Sequence, residues 1–196
     1  MKPITFALAL AVALAGTLAW AQSPKPESGA KKTEPGGAAM PMPKAPAELA
    51  QFKIFLGNWK CEGKAPDSPM GPAHATHTTV SARMDLDNFW MMFHVEEKKT
   101  RENPAGIKGT GYWTYDASTK RFGGPWVDNV GVTGNEWSAG WQGDTISFEG
   151  EMTFMGQKMQ VRDVFTKKSD REMTHKSEAA MKPGQWTTMA EETCKK

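Results

Sequence analysis

Asp163 and His175 are the residues whose types and positions best suit chemistry in this chain. Asp163 shares the apolar register of Met159, Val161 and Phe165, and His175 shares that of Met173, Ser177 and Ala179. A three-residue turn at Lys168 to Asp170 would set the carboxylate directly opposite the imidazole, with cross-strand Cβ atoms ~5 Å apart. Such a pair forms a charge-assisted hydrogen bond and gives a greasy interior one polar anchor. Gly150, on the strand before, would face Asp163 and leave it room. Two other arrangements stay open. Both residues would be solvated at a rim, or a slip of one residue would turn Arg162 inward, where it suits a carboxylate ligand.

An Asp–His pair becomes catalytic only with a nucleophile in hydrogen-bond reach of the imidazole. Ser177 shares the face of His175, but two residues along a strand span ~6.5 Å, too far for direct contact. The expectation is therefore no enzyme and no catalytic residue, with a weak hydrolase as a minor alternative. In "HATH", His74 and His77 lie three apart, which on a strand sends them to opposite faces. With only His94 and His175 besides, the histidines do not converge as a zinc site requires, and no metal ligand is assigned.

These side chains need strands to hold them. After a short helix in "PAELAQFKIF", with Leu49 and Phe52 on one side, nothing has helical period. Runs of roughly ten residues alternate in hydropathy between breaks such as "ENPAG", "DASTK", "QGD" and "KPGQ". Nine breaks predict about ten antiparallel strands in an up-and-down meander. "TISFEGEMTF" is the clearest, with Ile146, Phe148, Met152 and Phe154 on one face and Thr and Glu on the other. Pairing Phe154 with Met159 across a four-residue turn would keep the next strand in phase. "NEWSAGW" would likewise send Trp137, Ala139 and Trp141 inward. A meander of this length has two exposed edges unless it closes into a barrel. Closure sets the first strand beside the last, where Cys61 and Cys194 lie, so a disulfide across the seam is expected. Two free thiols are the alternative.

"FLGNWKCEG", "GYWTYDASTKRFGGPWVDN" and "ISFEGEMTFMGQKMQVRDVFT" resemble the bacterial domain-of-unknown-function family fifteen-seventy-nine, from about Ala47 to the C-terminus. Tyr115 to Asn129 is the most specific part. The resemblance implies a calycin-type barrel, similar in shape to lipocalins and nitrobindin, and no activity to transfer. By analogy with nitrobindin-like barrels it also suggests haem on His175, with no other cofactor expected.

The expected lining of the barrel is Trp59, Trp113, Trp126, Trp137, Trp141, Phe148, Met152, Asp163, Phe165 and His175. Such a barrel is filled by its own side chains or holds one small ligand. The first reading makes it a structural or interaction module with a protein partner. The second makes it a non-enzymatic carrier of a small hydrophobic molecule, and this is the leading expectation. In "NFWMMFHVEE", Trp90 and Met92 point outward and suggest a covered patch, with a homodimer as one way to cover it.

The ends bound the compartment. Lys2, the apolar run Ile4 to Leu18 and Ala19-Trp20-Ala21 read as a signal peptide over residues 1–21. Residues 22–46, with six prolines and four lysines, read as a disordered tail. Residues 47–196 form one domain in which nineteen Lys and Arg meet twenty Asp and Glu, a balance that excludes nucleic acid as partner. The protein is expected to be exported, periplasmic or secreted, with no transmembrane segment after processing.

Overall fold

The computed structural model describes residues 42–68, 71–180, 182 and 184–196. The expected leader and most of the expected tail lie outside these. The chain enters through a 3-10 helix, Ala47–Ile54. Leu49, Phe52 and Phe55 recur every third residue, and a helix of three residues per turn stacks them in one column. All three are buried.

Ten strands follow: β1 (Gly57–Ala65), β2 (His74–Asp85), β3 (Trp90–Glu97), β4 (Lys108–Asp116) and β5 (Arg121–Asp128), then β6 (Thr133–Ser138), β7 (Thr145–Phe154), β8 (Gln157–Ser169), β9 (Glu172–Ala180) and β10 (Thr187–Lys195). Each pairs antiparallel with its chain neighbours, and β1 pairs with β10, so the meander closes into a barrel. The helix fills one end. Phe52 packs its ring against Trp113, Phe122 and Phe148, with centroids 5.7, 5.1 and 6.3 Å away. Among the described residues no helix is long and apolar enough to cross a membrane.

Cys61 and Cys194 are direct register partners on β1 and β10, with Cα atoms 3.9 Å apart, and they are joined by a disulfide. The staple therefore sits on the one strand pair that is not local in sequence. Every other pair follows a hairpin.

Three register expectations need correction. The β7–β8 hairpin turns on two residues, Met155 and Gly156, both at positive φ (49° and 78°). Met152 thus opposes Met159, and Phe154 opposes Gln157. Two-residue hairpin turns with both central residues at positive φ match the natural twist of the strands. Next, β8 and β9 join through Asp170 and Arg171 with a bulge between Lys167 and Ser169. Asp163 consequently opposes Ser177, and Phe165 opposes His175. Last, "NEWSAGW" is not one continuous strand. β6 stops at Ser138, and Glu136 and Ser138 are its buried residues, while Ala139 is exposed and Trp137 only half-buried.

Gly150 faces Val161 on β8 and Glu136 on β6, not Asp163. A Cβ there would run into the backbone carbonyl of Asn135 and lie 2.6 Å from Cα of Glu136. Backbone cannot swing aside as a side-chain tip can. Gly150→Ala is expected to cost about 1–3 kcal/mol through overpacking, read as a lower urea midpoint at an unchanged m-value.

Candidate functional site

Between the helix-plugged end and the far loops lies a cavity of about 320 Å³. Its wall is mostly apolar. Trp59, Met91, Phe93, Trp113, Trp126 and Phe165 supply much of it, and Ile107 and Val132 contribute from the loops after β3 and β5. Trp113 is held from behind by Phe148, stacked at 3.9 Å, and from the side by Phe93 at 4.5 Å. These contacts fix the indole plane that the cavity sees.

Four titratable groups on four strands interrupt this surface: Glu136 on β6, Asp163 on β8, His175 on β9 and Glu192 on β10. His175 Nε2 bonds Asp163 Oδ1 at 2.8 Å, a diagonal contact between residues two positions out of opposition. Its Nδ1 lies 3.4 Å from Glu192 Oε2. The imidazole stacks on Phe165 at 4.5 Å, with ring planes 11° apart. Thr78 donates to Glu192 Oε1 at 2.7 Å, and Trp113 Nε1 donates to Glu136 Oε1 at 3.2 Å. Glu136 Oε2 is buried beside the Asp163 carboxylate, where a proton on Glu136 links the two acids.

The charges follow from these contacts. Burial alone would lower the His175 pKa, but the hydrogen bonds and charges of Asp163 and Glu192 outweigh it and push it up to about 10. Burial works against ionised Asp163 as well, yet the bond and charge of His175 keep that carboxyl below its usual value. Glu192 behaves the same way, helped by Thr78. Glu136 goes the other way. Burial and then the charge on Asp163 raise it well above the ordinary carboxyl range, and the Trp113 bond only partly offsets this. At neutral pH the cluster is an imidazolium between two carboxylates, with a protonated carboxyl beside them.

The structure brings Trp59, Trp113, Trp126, Met152, Asp163, Phe165 and His175 together around the cavity. Phe148 is fully buried behind the wall. Trp141 follows β6, stacks on Phe55 at 5.8 Å and donates to the Gln51 carbonyl, so it braces the helix. Trp137 is off the cavity, on the opposite parity to Glu136. Arg162 points outward to Glu178, 2.6 Å away, and lies over the Trp186 ring at 4.3 Å, so the register that would bring it inside is not adopted. His74 and His77 part as expected. His74 pairs with Glu97 at 3.2 Å, and His77 is exposed.

Glu136 and Glu192 are the residues that sequence reasoning missed. Glu192 had a signal: it is two residues before Cys194 and so shares its inward face. Glu136 had one in the glycines, since its register partners on β5 and β7 are Gly124 and Gly150.

His175 does not fit a haem ligand, because both ring nitrogens are engaged by carboxylates. The same engagement leaves no free imidazole base for Ser177. Cys61, Cys194 and Glu192 bring ligand atoms within 4.8 Å of one another, but the two sulfurs are bonded together and present no thiolate to a metal.

The family model described as a protein of unknown function, DUF1579, matches residues 44–196. The chain belongs to this DUF1579 family. The crystal structure of Rv2717c from M. tuberculosis is similar, with a TM-score of 0.59 and 11% identity over 78% of this chain and 99% of that one. A redesigned β-barrel matches at a TM-score of 0.39 and 11% identity, over 73% of this chain and 91% of the other. Among curated proteins no relative matches the sequence. The likeness to Rv2717c concerns the barrel fold of this DUF1579 member. Its site stands on its own residues.

Proposed function

We propose that the barrel is a non-enzymatic binder of one small, largely apolar molecule, working outside the cytoplasm. The observation that carries this reading is the cavity of about 320 Å³, walled by aromatic and methionine side chains with a few convergent polar groups. Ligand pockets start at about 300 Å³ and share this make-up. The disulfide supports an oxidising compartment, and the expected leader agrees with it. Absence of catalysis is supported by His175, whose nitrogens both serve carboxylates.

Titration with 4-nitroanisole, a neutral nitroaromatic quencher of about the right size, tests the pocket. Tryptophan emission is expected to fall with saturation at one ligand per chain. Val80→Trp, which places an indole in the cavity, should abolish the saturable phase while thermal unfolding remains cooperative. Purely linear quenching in the native protein would sink the carrier reading and favour a filled module with a protein partner.

A further inference from the structure

We propose that the cavity selects a hydrophobic amine, with Glu136 as its counter-charge, and rejects carboxylates of the same length. This rests on the binding reading above and specifies its ligand. Three carboxyl groups line the cavity against one basic group, and that imidazole already spends both nitrogens on Asp163 and Glu192. Among the described residues no lysine or arginine lines the wall. A carboxylate ligand would add a fourth acid with no cation to meet it, and like charges inside a low-dielectric space repel strongly.

The third carboxyl is the one left over. Glu136 is 5% exposed, and its Oε1 is bonded to the Trp113 indole. Oε2 is buried beside the Asp163 carboxylate, and the proton held on Glu136 serves both acids. Two buried carboxyls held together by one proton are short of positive charge. An ammonium group seated beside Oε2 would replace that proton between the two carboxyls and supply the positive charge they lack. It would face Asp163 from β8, His175 from β9 and Trp113 from β4, with Glu192 of β10 on the same cavity wall beyond His175, while the register partners on β5 and β7 are Gly124 and Gly150. The Trp113 and Trp126 faces add cation–π attraction. Burial keeps Glu136 protonated in the empty barrel, and the incoming ammonium would let it ionise. At the ~30 Å³ that one water occupies in the liquid, the space equals roughly ten water-sized groups.

Octylamine, 1-octanol and octanoate share a tail and differ at the head, so calorimetric titration of the three at pH 7 isolates the head group. Octylamine should bind at least ten times tighter than octanol, and octanoate more weakly than octanol. Glu136→Gln keeps the shape and an oxygen for the Trp113 N–H, so it should bring octylamine down to the octanol affinity and leave octanol unchanged. Octanol binding as well as or better than octylamine in the native protein overturns the proposal while the pocket stands. An amine preference that survives Glu136→Gln also overturns it. If none of the three binds, the pocket and the amine fall together.

Discussion

Replacing Cys61 and Cys194 with alanine together is expected to lower unfolding stability by about 5 kcal/mol. The cysteines are 133 residues apart in sequence, and in the chain-entropy account a loop of that length closed in the unfolded state removes about this much. For a domain of this size each kcal/mol moves the melting temperature by about 2–4 °C, so the drop should be roughly 10–20 °C. The location sharpens the expectation. β1 and β10 form the closure, and every other strand pair keeps a hairpin to hold it. Amide exchange should therefore accelerate first in β1 and β10, well before β7 and β8. A loss below 1 kcal/mol, or exchange that rises evenly around the barrel, would show that strand pairing alone seals the seam.

His175→Ala is expected to cost about 3–5 kcal/mol at pH 7, because it strands Asp163 and Glu192 as buried charges without their cation. The deficit should shrink towards pH 4, where those carboxyls take up protons and no longer need it. Cavity formation alone would give a deficit indifferent to pH, so urea unfolding of the variant and parent at pH 7 and 4.5 separates the two causes. The parent protein carries the same signature. The His175 pKa is pushed up to about 10 in the fold from an ordinary 6.5, so its stabilisation is complete below 6.5 and is lost as pH rises through 10. Glu136 acts in the same direction, since the unfolded chain releases that proton from about 4.5 upward while the fold retains it. Asp163 and Glu192 are held low, so their contribution is present above about 4.5 and fades as the solution becomes acid. Maximum stability is expected between about pH 4.5 and 6.5. A maximum at pH 8 or above would contradict this charge assignment.

The two-residue alternation that runs through the chain determined the fold. Strands whose apolar positions fall mostly on one parity, joined by tight turns, can hide both edges only by closing, and a cysteine near each end marked where. The helix was equally legible, since Leu49, Phe52 and Phe55 repeat at the spacing of a three-fold turn. Parity also brought Asp163 and His175 to the inside, because it does not depend on how the strands slide past one another.

Register does depend on that, and only the tertiary structure decided it. The bulge in β8 moved Asp163 opposite Ser177 and left its bond to His175 diagonal. Within β6, which ends at Ser138, the inward parity is the reverse of the one expected for "NEWSAGW", and the hydrophobic choice, Trp137, lost to Glu136. Hydropathy misleads there because a carboxyl can be buried wherever its surroundings keep it protonated, and the charge that helps burial do so, Asp163, comes from β8, far away in sequence. Alternation in the chain can build a closed wall, but the charge inside it is set by groups that meet only once the barrel shuts.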